Sequence, residues 1–310
     1  MIRGFLDGPF GSCVRDALFR AEVRREAVFV REQSQFAGIK THAQKSFLHM
    51  LESRNKETFF ILGSGSSVED NSRLKFEVIR EGVSVGVNAW VLHDFIPSFY
   101  AYEPVPVRDS DHYRTLGILN RPDVLSAEPY VLVLRPRTPV EFEQLGQIPQ
   151  ELFPKTVLYG RVAMSTRRKE LLQRDVDFSL THLSQQTSPL VTMDSGATIV
   201  RMTSLALQLG YQRIVYVGVD LNHAEYFWEV NPAYLKRRGI ESFSSGQSGT
   251  QHETLNPARR PFVVTEVIEK LFEGFATRNR VQMFSGSETS ELAKFLPLFP
   301  WGDRLPRIPK

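Results

Sequence analysis

Residues 194–223 read DSGATIVRMTSLALQLGYQRIVYVGVDLNH, and the fold turns on this stretch. Small residues from Asp194 to Thr198 open a helix, Gly210 stops it, and RIVYVGV follows as a strand that delivers Asp220, Asn222 and His223 at its end. Open helix-start amides in such a unit favour a carboxylate or phosphate, and Asp194 also suits an ordinary N-cap.

Outward from this unit the rhythm repeats. From Thr58 onward, short apolar runs bounded by turn residues alternate with helix-period segments: TFFIL, VSVGVN, SFYAYE, YVLVL, TVLYG, RIVYVGV and RVQMF. The pattern predicts an α/β fold, a mostly parallel, doubly wound sheet with helices on both faces. Helices are expected near Asn71–Arg80, Val140–Gln147, Gly196–Leu209 and Pro257–Thr277, with Pro257 in a first turn. Residues 1–56 read as a helical N-terminal extension and 57–310 as the main domain. In the extension Val14, Leu18, Val23, Val28 and Val30 make no single clean stripe, which favours packing on a partner or on the core over lying on a membrane. Residues 221–256 break the rhythm with glycine, serine and aromatic residues. A segment of that length reads as a lid, with Tyr226 and Trp228 among the aromatics that would fold over a ligand.

Composition narrows the function. With 310 residues, 42% hydrophobic and 24% charged, the chain is ordinary globular material rather than disordered or low-complexity sequence. Its longest apolar runs, such as Tyr130–Leu134 and Ile214–Val219, fall far short of the roughly 18 residues of a spanning helix. The N-terminus lacks the pattern of a secretory signal, and the single cysteine, Cys13, excludes an intramolecular disulfide or a cysteine-rich zinc module. A cytoplasmic location is expected, with peripheral contact at the inner membrane left open by the arginines of the first helix. The net charge of +3 does not point to nucleic acid. Basic residues gather at Lys155–Arg174, Lys236–Arg238 and Arg259–Arg260, patches that suit phosphates or acidic sugars and equally a solvated helix face.

Ligands of open α/β sheets bind beyond the carboxyl ends of the strands. Gly63-Ser64-Gly65-Ser66 follows the first strand, Asn88 the second and Glu103 the third, so these side chains would converge there if the strands are neighbours. The glycine turn lacks both the phosphate-loop pattern and the full dinucleotide fingerprint, and it reads equally as a tight strand-to-helix turn or a nucleotide site. His252, at the end of the polar segment, suits a general base near neutral pH. Asp220, His223 and His252 match no standard zinc spacing, so no metal is expected.

Taken in order, FILGSGSS, VGVNAW, YAYEP, DSGATIV, LALQLGYQRIVYVGVDL and the histidine of QHETLNP resemble the bacterial lipooligosaccharide sialyltransferases and the wider group of proteins sharing their Rossmann-like fold. The likeness runs from about Thr58 to Pro300. It implies an inverting, metal-independent transferase of lipopolysaccharide biosynthesis that needs no cofactor. Such an enzyme moves a sialic-acid-like sugar acid from a CMP-sugar donor to a glycan or glycolipid acceptor. By the same resemblance Gly63, Ser64, Gly65, Ser66 and Asn88 hold the nucleotide. Ser195 and Gly196 hold the donor carboxylate and His252 deprotonates the acceptor hydroxyl, while Glu103, Asp220 and Asn222 are expected near the donor sugar because they end strands on the same edge. Ser64 stands where that family has an asparagine, Glu103 where it has a second, and Thr192 where it has an arginine. Two other readings are a magnesium-dependent diphosphokinase like the pterin diphosphokinases, with Asp194 and Asp220 on the metal, and a non-catalytic nucleotide or carbohydrate binder. A homo-oligomer is compatible with all three.

Overall fold

A computed structural model of the chain describes residues 9–39, 41–53, 57–69, 73–108, 110–164, 166–185, 190–222, 225–244, 253–256 and 261–302. Two helices, α1 (Pro9–Phe36) and α2 (Thr41–Ser53), precede the sheet. Then follow β1 (Thr58–Leu62), α3 (Arg73–Glu81), β2 (Val83–Val87), β3 (Phe99–Tyr102), α4 (Pro122–Ala127), β4 (Tyr130–Leu134) and α5 (Pro139–Leu145). Next come β5 (Thr156–Ala163), α6 (Leu172–Ser184), β6 (Val191–Asp194), α7 (Thr198–Gln208) and β7 (Arg213–Val217). The short helices α8 (Phe227–Val230) and α9 (Ala233–Arg237), then α10 (Val264–Lys270) with a π turn at Leu271–Ala276, lead to β8 (Gln282–Ser285).

All eight strands pair in parallel, in the order β6-β5-β4-β3-β2-β1-β7-β8. The chain builds outward from β1 to β6 and then returns across the sheet to lay β7 against the free side of β1. The strand order therefore reverses between β1 and β7, the place where open α/β sheets bind ligands. The central strands are largely apolar on both faces because both faces are covered. In β1, Phe59 and Ile61 join the core under α1, α2, α6, α7 and α10, whereas Phe60 and Leu62 join the opposite core with Trp90, Phe227 and Trp228.

The seven strands expected from sequence are present, and Val191–Asp194 is an eighth. That strand is only four residues long and ends in a charge, so its apolar pattern is faint. Helix α6 was also missed; it starts at Leu172, at the very end of the basic stretch Lys155–Arg174, and runs on to Ser184. The last long helix opens at Val264, later than the expected Pro257, which lies outside the described residues.

The N-terminal helices belong to the main core. Phe19 and Val23 of α1 and Phe47 and Leu51 of α2 are buried against the sheet. The outer side of α1 leaves Val14, Leu18, Val28, Phe29 and Phe36 exposed. No helix among the described residues is long and apolar enough to cross a membrane.

Residues 225–244, expected as part of a ligand-facing lid, are packed down. Gly65 bridges Tyr226 in antiparallel fashion, the Trp228 indole donates to the Phe243 carbonyl at 3.3 Å, and Trp228 is 1% exposed. Tyr234 donates to Glu69 at 2.8 Å and stands 3.1 Å from His93 Nε2, so the segment is fastened on both sides. A hinged flap would leave such aromatics in water when open, and burial by the core is the cheaper arrangement.

Candidate functional site

The carboxyl edge of the sheet carries two different constructions. The first lies at the strand-order reversal. Gly63 N–H donates to the Val217 carbonyl and Gly65 N–H to the Gly218 carbonyl, each at 2.7 Å, which ties the turn after β1 to the end of β7. Asp220 closes it: its carboxylate accepts the Ser67 N–H at 3.0 Å and the Ser67 hydroxyl. Only glycine fits at 65, because a Cβ there would fall on the Asp220 carboxylate. Leu221, directly after Asp220, has φ +59°, a left-handed conformation that a bulky side chain rarely takes and that marks this corner as constrained.

These contacts correct two expectations. The turn does not offer a cradle of open amides, since those of Gly63, Gly65, Ser66 and Ser67 are already bonded, Ser66 to the Glu225 carbonyl at 3.0 Å. Asp220 is buried and turned onto Ser67, so it serves the turn rather than a sugar. What remains for a ligand is Ser64, whose hydroxyl oxygen is buried with no hydrogen-bond partner among the described residues.

The second construction is a line of charged side chains above β2 to β6. Helix α7 begins its return crossing here, and Thr198 in its first turn lies 3.4 Å from both the Asn88 Oδ1 and the Glu103 carboxylate. Asn88 is exposed and left-handed (φ +55°), which asparagine tolerates better than most residues. Arg201, in the second turn of α7 and 0% exposed, donates to Asp194 at 2.6 Å, to Thr198 at 2.8 Å and to Glu103. Burial alone would lower its pKa, but Tyr159, Glu103 and Asp194 outweigh that and raise it. Burial pushes the Tyr159 phenol up to about 12, with Arg201 pulling the other way.

Arg161 of β5 bridges Glu103 at 2.9 Å and Asp194 at 3.4 Å. Beyond it Glu26, from α1, accepts the Arg161 N–H at 3.2 Å and a two-pronged contact from Arg135 at 3.0 and 2.8 Å. Gly160 permits this approach: a Cβ there would stand 2.5 Å from Glu26 Cγ. Arg137 completes the line. The stop after β4 fixes it, because Thr138 and Glu141 form a reciprocal capping box and Pro139 sits at the helix start. Its guanidinium lies 3.9 Å from Glu26 and is 45% exposed. Burial and the charge of Arg161 hold its pKa below the usual arginine value.

Four arginines (135, 137, 161 and 201) thus meet three carboxylates (Glu26, Glu103 and Asp194), leaving one positive charge over. Fully paired arginines lock geometry, and the exposed, loosely paired Arg137 is the one open to an anion.

The remaining candidates are placed as follows. Ser195 is half-buried in the turn before α7, and Gly196 (φ +86°) spends its N–H on Asp194 Oδ1 at 2.8 Å, so that amide is closed to a carboxylate. Asn222 donates to the Thr289 carbonyl at 2.9 Å. Tyr226 stacks on Trp228 with ring centres 4.6 Å apart, and Trp228, being buried, faces the core and not a ligand. His223 and His252 lie outside the described residues, as do Arg259 and Arg260. Asp194 and Asp220, proposed as magnesium ligands in the diphosphokinase reading, are committed to arginines and to Ser67 respectively, and do not fit that role.

Sequence reasoning missed Arg135, Arg137, Arg161, Arg201 and Glu26. One signal was present: Arg201 is the single charge in an otherwise uncharged helix, TIVRMTSLALQ, and a lone charge there has to be paired.

No protein-family model matches the chain, and no curated protein matches it in sequence. Among solved structures the chain is similar to the sialyltransferase CstII from Campylobacter jejuni in complex with a substrate analogue, cytidine-5'-monophosphate. That match has 15% identity and a TM-score of 0.41, over 80% of this chain and 87% of that one. It is likewise similar to the sialyltransferase CST-II in complex with trisaccharide acceptor and CMP, at 15% identity and a TM-score of 0.39, over 79% and 86% of the two chains.

Proposed function

We propose that the chain is a glycosyltransferase that moves a sialic-acid-like sugar acid from a CMP-activated donor to a glycan acceptor, with inversion and without a metal. The observation that carries this reading is the surplus positive charge on the line of side chains reaching from Asn88 through Thr198 and Glu103 to Arg161 and Arg137. A donor of this class is doubly anionic, with a phosphodiester at one end and a carboxylate on the sugar. The Ser64 hydroxyl and the Asn88 carboxamide would meet the nucleotide, each able to donate and accept, and Arg137 would meet the carboxylate. As the glycosidic bond to CMP breaks, negative charge grows on the leaving phosphate and positive charge on the anomeric carbon, so fixed dipoles and charges stabilise both.

His252 is the proposed base for the acceptor hydroxyl. Peripheral contact with a membrane carrying the acceptor would fall to the outer side of α1, where Arg20, Arg24, Arg25 and Arg31 are exposed beside Leu18 and Val28.

The test is release of CMP from a CMP-sugar-acid donor in the presence of glycan acceptors. His252→Ala is expected to lower turnover by roughly 10²-fold or more while CMP affinity stays unchanged, as befits a group that acts in the transition state. Full turnover in that variant would remove the base from the mechanism, and magnesium-dependent diphosphate transfer would replace the reading altogether.

A further inference from the structure

A second concentration of positive charge lies away from the strand edge. The 3-10 segment Asp111–Leu119, the start of α4 and the end of α9 enclose a cavity of about 370 Å³. Arg114, Arg121, Arg237 and Arg238 line it, with Ile118 and Ile240 as its apolar wall. Two aspartates answer these four cations. Asp123 pairs with Arg121, and Asp94 pairs with Arg237 at 2.6 Å and with Arg238. His93, in contact with Arg238 through its carbonyl, adds no charge, since burial keeps its imidazole neutral. Two positive charges are left over.

The donors are unequally engaged. Arg121 is spent, on Asp123 and on the carbonyls of Val91 and His93 at 2.6 and 3.2 Å. Arg238 is different: its side chain is 10% exposed, yet its Nε is buried with no hydrogen-bond partner among the described residues. An unmet N–H on a buried guanidinium is costly and calls for an acceptor. Arg114 is exposed and has no ion pair among the described residues. Two spare charges, one unmet buried N–H and one open guanidinium in a small concave space match an oxyanion with two negative charges.

We propose that this cavity binds a phosphate monoester dianion, carried on a sugar or on a lipid headgroup, with Arg114 and Arg238 as its direct contacts. The apolar wall of Ile118 and Ile240 fits the carbon skeleton beside the phosphate better than it fits bare inorganic phosphate. The proposal does not depend on the glycosyltransferase reading, because none of the lining residues belongs to the strand edge.

The experiment is phosphorus NMR titration of the full chain with inorganic phosphate, with a hexose 6-phosphate, and with phosphatidylcholine vesicles containing phosphatidic acid. Saturable binding of the hexose phosphate or of the vesicles is expected, the stronger of the two identifying the source of the phosphate. Arg114→Gln should weaken it by about tenfold, the size of one charge-assisted hydrogen bond. That variant alters an exposed, unpaired side chain and is expected to fold, while Arg238→Gln checks the buried contact once its melting curve shows a folded protein. Asn88→Ala should leave the affinity as it is. Absence of binding with all three probes, undiminished binding in Arg114→Gln, or loss in Asn88→Ala in its place would overturn the proposal.

Discussion

The two ends of the carboxyl edge are built by different means. At the β1/β7 reversal, backbone meets backbone: Gly63, Gly65 and Gly218 bring two loops into contact, and one carboxylate, Asp220, fixes the result. Above β2 to β6 the edge is closed chiefly by side chains, which arrive from α1, from the ends of β3, β4, β5 and β6, and from α7. The first end is rigid and nearly saturated. The second holds a surplus charge and a loosely paired arginine, and in the proposed reading recognition of the acidic donor falls to this side-chain end.

This contrast predicts different costs of damage. The largest is expected for Arg201→Met, which takes the fully buried cation from Asp194 and Glu103 and leaves them only the partly exposed Arg161. Removing one partner of such a group costs about 3–5 kcal/mol, to be read from urea unfolding at neutral pH. A loss under about 1 kcal/mol would mean that the charged line does not hold this edge together.

At the other end the expected cost is smaller and steric. Gly65→Ala should lose about 1–3 kcal/mol, as overpacking does, and the double variant with Asp220→Ala should be less destabilised than the two single losses combined, since the obstacle is then gone. Strict additivity would show that Asp220 does not clamp the turn.

Acid sharpens the comparison further, because the segment fastened to the glycine turn is anchored on a buried histidine. Burial, against the pull of Asp94, pushes the His93 imidazole down to about 3. The unfolded chain therefore binds the proton more readily between pH 6.5 and 3. The contribution of this group is complete above about pH 6.5 and declines as pH falls toward 3, by at most about 1.4 kcal/mol per pH unit. His93→Gln should flatten this part of the stability profile. Thermal unfolding from pH 7 to pH 4.5 measures it, and an unchanged slope in the variant would assign the acid sensitivity elsewhere.

The same contrast explains what could be read in the sequence. Strands buried on both faces announce themselves as apolar runs, which is why TFFIL and RIVYVGV were legible, and glycine turns at their ends were legible for the same local reason. Val191–Asp194 was not, being short and ending in a charge. Arg161 was seen only as part of a basic stretch, because its partner Glu103 lies 58 residues away in the chain and pairing at that range leaves no local trace. Glu26 was missed for a stronger reason: it sits in the N-terminal extension, and its role exists only because Gly160 admits it. Trp228 misled in the opposite sense, since an aromatic in a glycine-rich segment looks like a lid from composition and proves to be core.

The smallest stability effect is expected at Asn88, whose left-handed backbone glycine would also accept. Asn88→Gly should change unfolding free energy by no more than about 0.5 kcal/mol, so any effect on binding belongs to the lost carboxamide. Calorimetric titration with CMP, set beside AMP and GMP, is then the most direct test of the account. Saturable heat is expected with CMP alone, weakened by about tenfold in Asn88→Gly. Binding of a purine nucleotide with none of CMP, or CMP binding indifferent to Asn88, would contradict the assignment of this edge to a cytidine-linked donor.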